Sequence, residues 1–213
     1  EWHEQIKKLR WPLFVKPTHL GSSIAVAKVK TVEELDRAVE VAFHYDDKAL
    51  VEESVEDLVE VTLPIMGNEE LCLAAVEQPK SKGDLFDFTE KYLGAGKKNS
   101  AGVNSQYSEI PAKIGGELTH RVQALGKKTY RAVGCEGIAR IDFLIDRPSS
   151  KIYVNEINTL PGSLYHHNWR SVGISGVELV TRLVDLAEDR FRKQEDITHT
   201  FTSDILKHSR GKS

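Results

Sequence analysis

The sequence predicts an α+β chain in which antiparallel sheets carry packed helices, and three observations predict it. Short runs alternate apolar and polar residues with period two, and the longest pair of runs, within Gly137 to Gly162, is broken by a turn. Three longer stretches have the period of a helix, and two of them start at a capping box. The chain has 213 residues, 40% apolar and 29% charged, enough to bury a real core in one domain or two small ones.

Taken in order, "LFVKP" (Leu13 to Pro17) and "SIAVAKV" (Ser23 to Val29) read as strands around the loop Thr18-His19-Leu20-Gly21-Ser22. Thr31 with Glu34 forms a capping box for a helix whose inner stripe is Val32, Leu35, Val39 and Phe43. A short strand "KALVEE" follows. "EVTLPIM" and "LCLAAVE" flank Gly67-Asn68 as a hairpin, with Pro64 arguing for an edge or irregular strand. From Lys80 to Pro111 the chain is polar and lacks periodicity, the composition of a functional loop. A helix from about Gly116 to Val133 turns Leu118, Val122 and Leu125 inward, and Thr159 to Ser171 reads as a loop. Ser175 caps the last helix, which runs to about Lys193 with Val180, Leu183, Ala187 and Phe191 inward, before a weakly periodic tail.

The folded-back pair poses a chemical question. Along "GIARIDFLID", Arg140, Asp142 and Leu144 share one face, while Ala139, Ile141, Phe143 and Ile145 share the other. In "KIYVNEIN", Ile152, Val154, Glu156 and Asn158 fall together, with Tyr153, Asn155 and Ile157 opposite. A fold-back near Ser149 sets Asp142 against Glu156. Two like charges directly opposite are destabilising, so something positive must lie between them. Arg140 is one candidate; Asn158, an uncharged oxygen donor nearby, points instead to a hard cation such as Mg²⁺. The competing reading is a surface hairpin whose acids face water. Lys16 at a strand end, followed by Gly21-Ser22-Ser23, offers a cation and a tight loop of N–H and hydroxyl donors for phosphate, or else an ordinary turn.

Other classes receive no support. Net charge is −3 and the basic residues are scattered, so there is no nucleic-acid footprint. Cys72 and Cys135 each sit in an apolar run and read as packed thiols in a reducing cytosol. No apolar run is long enough to span a membrane, and the amino terminus lacks a signal-peptide plan. The start at Glu1, with only a short lead-in, reads as a fragment or processed chain.

"FVKP", "LGSS", "LVEE", "EKYL", "ARIDFLID" and "NEINTLPG" occur in an order that resembles the D-alanine–D-alanine ligases of the ATP-grasp superfamily, from about Leu13 to Phe191. The resemblance implies an ATP-grasp fold with a nucleotide cleft between two subdomains. It implies residues 1–51 as the end of the central subdomain, 52–195 as the C-terminal catalytic subdomain and 196–213 as a loosely attached tail. It also implies cytoplasmic joining of two D-alanines through an acylphosphate, for peptidoglycan precursors, with ATP and two Mg²⁺ ions, for which Mn²⁺ can substitute. Lys16, Ser22 and Ser23 would meet the phosphates, and Glu52, Glu53 and Glu60 the adenine and ribose. Lys91 would reach the phosphate, and Tyr92 would lie on a loop, Gly83 to Gln106, that closes over the site. Asp142, Glu156 and Asn158 would hold the metal, Arg140 would stabilise the transferred charge, and Gly162 would supply a backbone donor. The amino-terminal domain of such ligases, which holds the first D-alanine, is missing, so this piece alone is expected to be inactive; intact members are commonly homodimers. After Gly162 the loop offers Ser163, Tyr165, His166 and His167, which leaves the receptor of the acceptor carboxylate, and the choice of D-alanine, D-serine or D-lactate, open. Two alternatives stand beside this reading: another ATP-grasp carboxylate-amine ligase, and a nucleotide-binding domain without catalysis.

Overall fold

A computed structural model describes residues 2–80, 108–195 and Ile197. The expectations for Lys91, Tyr92 and the loop Gly83 to Gln106, and nearly all of those for the tail, lie outside the described residues.

The first quarter of the chain builds a three-stranded antiparallel sheet. A short helix α1 (Trp2–Ile6) precedes strand β1 (Leu13–Pro17), which lies between β2 (Ala27–Val29) and β3 (Ala49–Glu53). Alternation turns Leu13 and Val15 inward, fully buried, and leaves Phe14 and Lys16 on the opposite face. Helix α2 (Val32–Tyr45) covers the inner face with Leu35, Ala38 and Ala42. Its Thr31 Oγ1 accepts from the Glu34 N–H at 3.2 Å, satisfying an otherwise orphaned donor. Two expectations change here. The inner stripe excludes Val32 and Phe43, which are exposed, because the small Ala38 and Ala42 let the helix sit close on its Leu35 side. The strand expected from Ser23 begins only at Ala27, because Ser22, Ser23 and Ala25 take left-handed backbone, which no ladder accommodates.

Asp46, the C-cap of α2, ties that bend down. Its carboxylate accepts from the His19 backbone N–H at 2.6 Å, from the Lys48 N–H at 3.2 Å, and lies 2.8 Å from His19 Nδ1. These bonds hold it far below the usual carboxylate range, His19 contributing most.

The second sheet has four antiparallel strands, in the order β5 (Cys72–Leu73), β4 (Leu58–Met66), β8 (Ile138–Asp146), β9 (Lys151–Asn158). Between them in sequence, β6 (Gln78–Pro79) pairs with β7 (Ser108–Glu109) as a separate ribbon. Helix α3 (Gly116–Ala132) packs on the core face against Val61, Leu63, Ile65, Ile141 and Phe143, burying Val122 with Leu118 and Leu125 beside it. Gly126 makes the approach close: a Cβ there would lie 2.8 Å from Leu63 Cδ2. Buried Tyr130 donates its hydroxyl to the Gly67 carbonyl at 2.8 Å, and burial pushes its phenol well above the ordinary value. Pro64 does not sit on an edge strand, since β4 lies between β5 and β8; its missing N–H faces the two-residue β5, where the ladder is already irregular.

The chain then runs through a left-handed turn (Gly162–Tyr165), helix α4 (His166–Ser171) and helix α5 (Gly176–Glu195). Two expectations fail in this part. The span 159–171 is helical in its second half, because Asn168 and Trp169 are buried there and anchor it. The inward residues of α5 are Leu179, Leu183 and Leu186, with Val180 and Phe191 exposed, because the adjacent apolar positions on both sides of the stripe allow two registers and packing on Trp169 and Ile174 selects one. Ser175 Oγ accepts from the Glu178 N–H at 3.1 Å, as a capping box requires. Cys72 and Cys135 are free and partly buried, and no helix of the described residues is long and apolar enough to cross a membrane.

Candidate functional site

The site grows from the β8–β9 hairpin. Arg140 pairs with Asn158 and Asp142 with Glu156, so the four polar side chains lie on one face, opposite the core residues Ile141 and Phe143. From Phe143 to the turn the register is offset by one residue, because Asn155 bulges out of β9 between the pairs Asp142–Glu156 and Phe143–Val154. This corrects the single alternation expected for β9. Ile152 stands opposite Ile145 and packs on the core, while Tyr153 stands opposite Leu144 on the site side. The same face continues onto β4, where Glu60, Thr62 and Pro64 stand opposite Leu144, Asp142 and Arg140.

Charge is crowded here. The Arg140 guanidinium donates to both oxygens of Asp142, Nε at 2.7 Å and Nη2 at 2.6 Å, and Nη2 lies 3.5 Å from Glu156 Oε1. Asn158 Nδ2 donates to Asp142 Oδ2 at 3.2 Å and to Glu156 Oε1 at 3.0 Å. Two acids therefore share one guanidinium and one amide. Burial and the neighbouring Glu156 push Asp142 up to about 7 against the pull of Arg140. Burial also opposes ionisation of Glu156, but Asn158, Asp142, Arg140 and Lys16 outweigh it and leave that carboxyl below its usual range. Like charges at one site split in proton affinity in this way.

The three-stranded sheet reaches the same place. Lys16 forms an ion pair with Glu52 and donates to Asn155 Oδ1 at 3.2 Å. The bulge is what turns Asn155 to that side. Glu52 lies opposite Phe14 in the β1–β3 ladder, on the face of Lys16, and Glu53 is taken by Arg10, which donates its backbone N–H at 3.0 Å, Nε at 2.9 Å and Nη2 at 2.8 Å. Ser22 and Ser23 stand on the bend that follows the Lys16 end of β1. Gly162 begins the left-handed turn with open space beside it, since a Cβ there would meet nothing within 4 Å.

Lys28, Asn155 and Glu77 were not singled out from the sequence as site residues, and Tyr165 and His167 were named there only as members of the loop after Gly162. Lys28 and Lys16 place their ammonium groups 6.0 and 5.9 Å from the Phe14 ring centroid, and Lys28 ion-pairs with Glu56 at 2.8 Å. The alternation of β2 marks Lys28, two residues before the loop into α2. Nothing in the residue types marks the Asn155 bulge. Tyr165 receives a hydrogen bond from Arg140 Nη1 at 3.1 Å, with the guanidinium 4.9 Å from its ring centroid. Behind it His167 meets Glu77, a lone acid in an apolar stretch and therefore visible in the sequence.

As a donor set, Asp142, Glu156 and Asn158 fit a hard divalent cation: three oxygen-bearing side chains on one face, with more negative charge than Arg140 alone balances. Asn158 now turns its NH₂ toward the acids, so ligation takes a half-turn of the amide.

Comparison with known proteins agrees with this geometry. The family model described as "D-ala D-ala ligase C-terminus" matches residues 1–185. The D-alanine–D-alanine ligase of Thermosipho africanus is 34% identical over 198 residues, 93% of this chain and 52% of that protein. That of Levilactobacillus brevis is 38% identical over 197 residues, 89% of this chain and 49% of that protein. Among solved structures, the VanG D-Ala:D-Ser ligase from Enterococcus faecalis superposes with a TM-score of 0.71 at 34% identity, covering 86% of this chain and 52% of that one. The D-alanine–D-alanine ligase from Coxiella burnetii gives 0.70 at 28% identity, covering 91% and 49%. The chain spans about half the length of the relatives it matches.

Proposed function

The chain belongs to the D-alanine–D-alanine ligase family, with the ATP-grasp fold and the C-terminal part of such a ligase, and from that premise we propose that it forms the nucleotide-binding and catalytic part of an ATP-dependent ligase joining two D-alanines. The observation that carries this reading is the convergence of Lys16, from one sheet, on the acid-rich face of the β8–β9 hairpin in the other. In this reading residues 1–51 end the central subdomain and 52–195 form the C-terminal one, with the nucleotide between them.

Lys16 and the Gly21-Ser22-Ser23 bend bind the ATP phosphates, with Lys91 as a further cation and Tyr92 beside it. Glu52, Glu53 and Glu60 lie toward adenine and ribose; Glu53 does so only by releasing Arg10. Asp142, Glu156 and Asn158 hold Mg²⁺, one or two ions, with Mn²⁺ as a substitute. The bound metal supplies neutralisation of the phosphate oxygens. The carboxylate of the first D-alanine attacks the γ-phosphate and gives an acylphosphate with ADP leaving. The amine of the second attacks that carbonyl and expels phosphate. Arg140 faces the charge that both steps place on oxygen, and the Gly162 N–H donates to the reacting carbonyl. No protein nucleophile is needed, and neither cysteine has a role.

Such a ligase works in the cytoplasm on peptidoglycan precursors. D-serine, the acceptor named for one structural relative, is the second reading for the acceptor. Phosphate release is the test, measured on this chain joined to the N-terminal half that its relatives carry, with ATP and Mg²⁺, with and without D-alanine or D-serine. Release that depends on D-alanine and is lost in Asp142→Asn and Glu156→Gln is expected. Full activity in both variants would remove the metal assignment, and Mg²⁺-dependent ATP binding without ligation would leave a nucleotide-binding domain.

A further inference from the structure

Glu77 is a buried acid, 7% exposed. It stands just before β6, bridged through its backbone to Thr62 on β4, opposite Asp142. Burial opposes its charge, yet bonds from His167, Ser108 and Asn168 hold its carboxyl below the usual range. An ionised carboxylate only accepts, so at 3.2 Å from Glu77 Oε2 the His167 Nε2 carries the proton. The His167 ring then lies 5.0 Å, centroid to centroid, from that of Tyr165. Tyr165 in turn accepts from Arg140 and lies under its guanidinium.

The backbone also enforces this arrangement. Ser163, Leu164 and Tyr165 all have φ between 51° and 52°, three successive left-handed residues without a glycine. Each such conformation is costly for a side-chain-bearing residue and persists only where the surroundings over-determine it. The buried Asn168 and Trp169 fix the far side of the turn, and the Glu77–His167 pair fixes its ring-bearing side.

We propose that Glu77 and His167 are positioning residues, which set Tyr165 and through it hold the Arg140 guanidinium in place over the reacting charge. Bound to Asp142 alone, Arg140 could follow that carboxylate whenever a cation claims it. Tyr165 gives the guanidinium a second anchor that does not depend on the acids. The role rests on the ligase reading above, but the geometry it asserts can be read without activity.

The test uses Tyr165→Phe, His167→Ala, His167→Gln and the double variant His167→Ala/Tyr165→Phe. In the ligase assay each of the first two lowers kcat about 10- to 100-fold while KM for ATP moves less than about 2-fold, the pattern of a lost supporting contact. His167→Gln keeps an N–H for Glu77 and recovers kcat to within about 3-fold, and the double variant is no slower than its slower parent, because both changes act through Arg140. Wild-type kcat in His167→Ala, no rescue by His167→Gln, or multiplied losses in the double variant would each overturn the proposal. If His167→Ala loses its cooperative thermal transition, Tyr165→Phe and His167→Gln decide alone. The second readout is the Nε–Hε NMR resonance of Arg140 in this chain without nucleotide, expected to shift in His167→Ala and to return in His167→Gln. An unmoved resonance overturns the positioning role whatever the enzyme does, whereas a shifted resonance in a protein that releases no phosphate overturns the ligase reading alone.

Discussion

On the three-stranded sheet the charges pair one to one: Arg10 with Glu53, Lys16 with Glu52, Lys28 with Glu56. On the β8–β9 hairpin two acids compete for one guanidinium, and an amide makes up the difference. Such one-to-one pairs near the surface contribute about 1 kcal/mol or less each and mainly hold side chains in place. Crowded acids, one of them largely buried, have no reason to persist on grounds of stability alone. The contrast teaches where a ligand is expected to supply charge: phosphates against the first sheet, where cations can exchange their partners, and a metal against the second.

The largest expected effect tests the second region. Asp142→Asn and Glu156→Gln should each lower phosphate release about 10²- to 10³-fold, the scale for removing a group that stabilises transition-state charge; Asp142→Asn should leave the thermal transition at or above that of the parent, because folding raises that carboxyl, whereas Glu156→Gln should lower it slightly, because folding favours the ionised Glu156. A fall in stability with unchanged release would make the hairpin structural and erase the contrast. Next, Gly67→Ala should cost about 2–4 kcal/mol in urea unfolding: Gly67 has φ of 140°, and a Cβ would overlap the Glu70 carbonyl oxygen. That loss should weaken the four-stranded sheet and leave the α2 side intact by hydrogen exchange; uniform loss of protection would show that the two regions unfold as one. Lys16→Ala should weaken binding of Mg²⁺ with a non-hydrolysable ATP analogue about 10-fold by calorimetry, the scale of one charged hydrogen bond.

The smallest effect is one of pH. A carboxyl lowered on folding adds stability above its unfolded pKa, and that stability disappears as pH falls through the lower folded value. Asp46 is such a group. The stability gap between wild type and Asp46→Asn should therefore be full at pH 6 and close as the solution is acidified below about 4. A gap that is constant with pH would mean that the His19 bend is held by shape rather than by charge.

Much of this site was legible because its signal is local. Alternation and one turn were enough to oppose Asp142 and Glu156, and capping boxes located α2 and α5. What failed depended on partners distant in sequence. The inward face of α5 is decided by Trp169 and Ile174, the extent of β2 by left-handed serines, and the run after Gly162 by burial of Asn168 and Trp169. The sequence placed Tyr165 in the loop after Gly162, but its partner, Arg140, lies 25 positions earlier and is reached only in the fold.

The extra residue in β9 has one more consequence. Delete Asn155 in thought and the strand regains plain alternation, with Val154 still inward and Glu156 still outward. That side chain accepts from Lys16, on the other side of the cleft, and does not serve the sheet's own ladder. A shortened variant should keep its fold and its acids yet lose the alignment of its two halves, so Asn155 acts as a spacer whose purpose lies outside the strand that contains it.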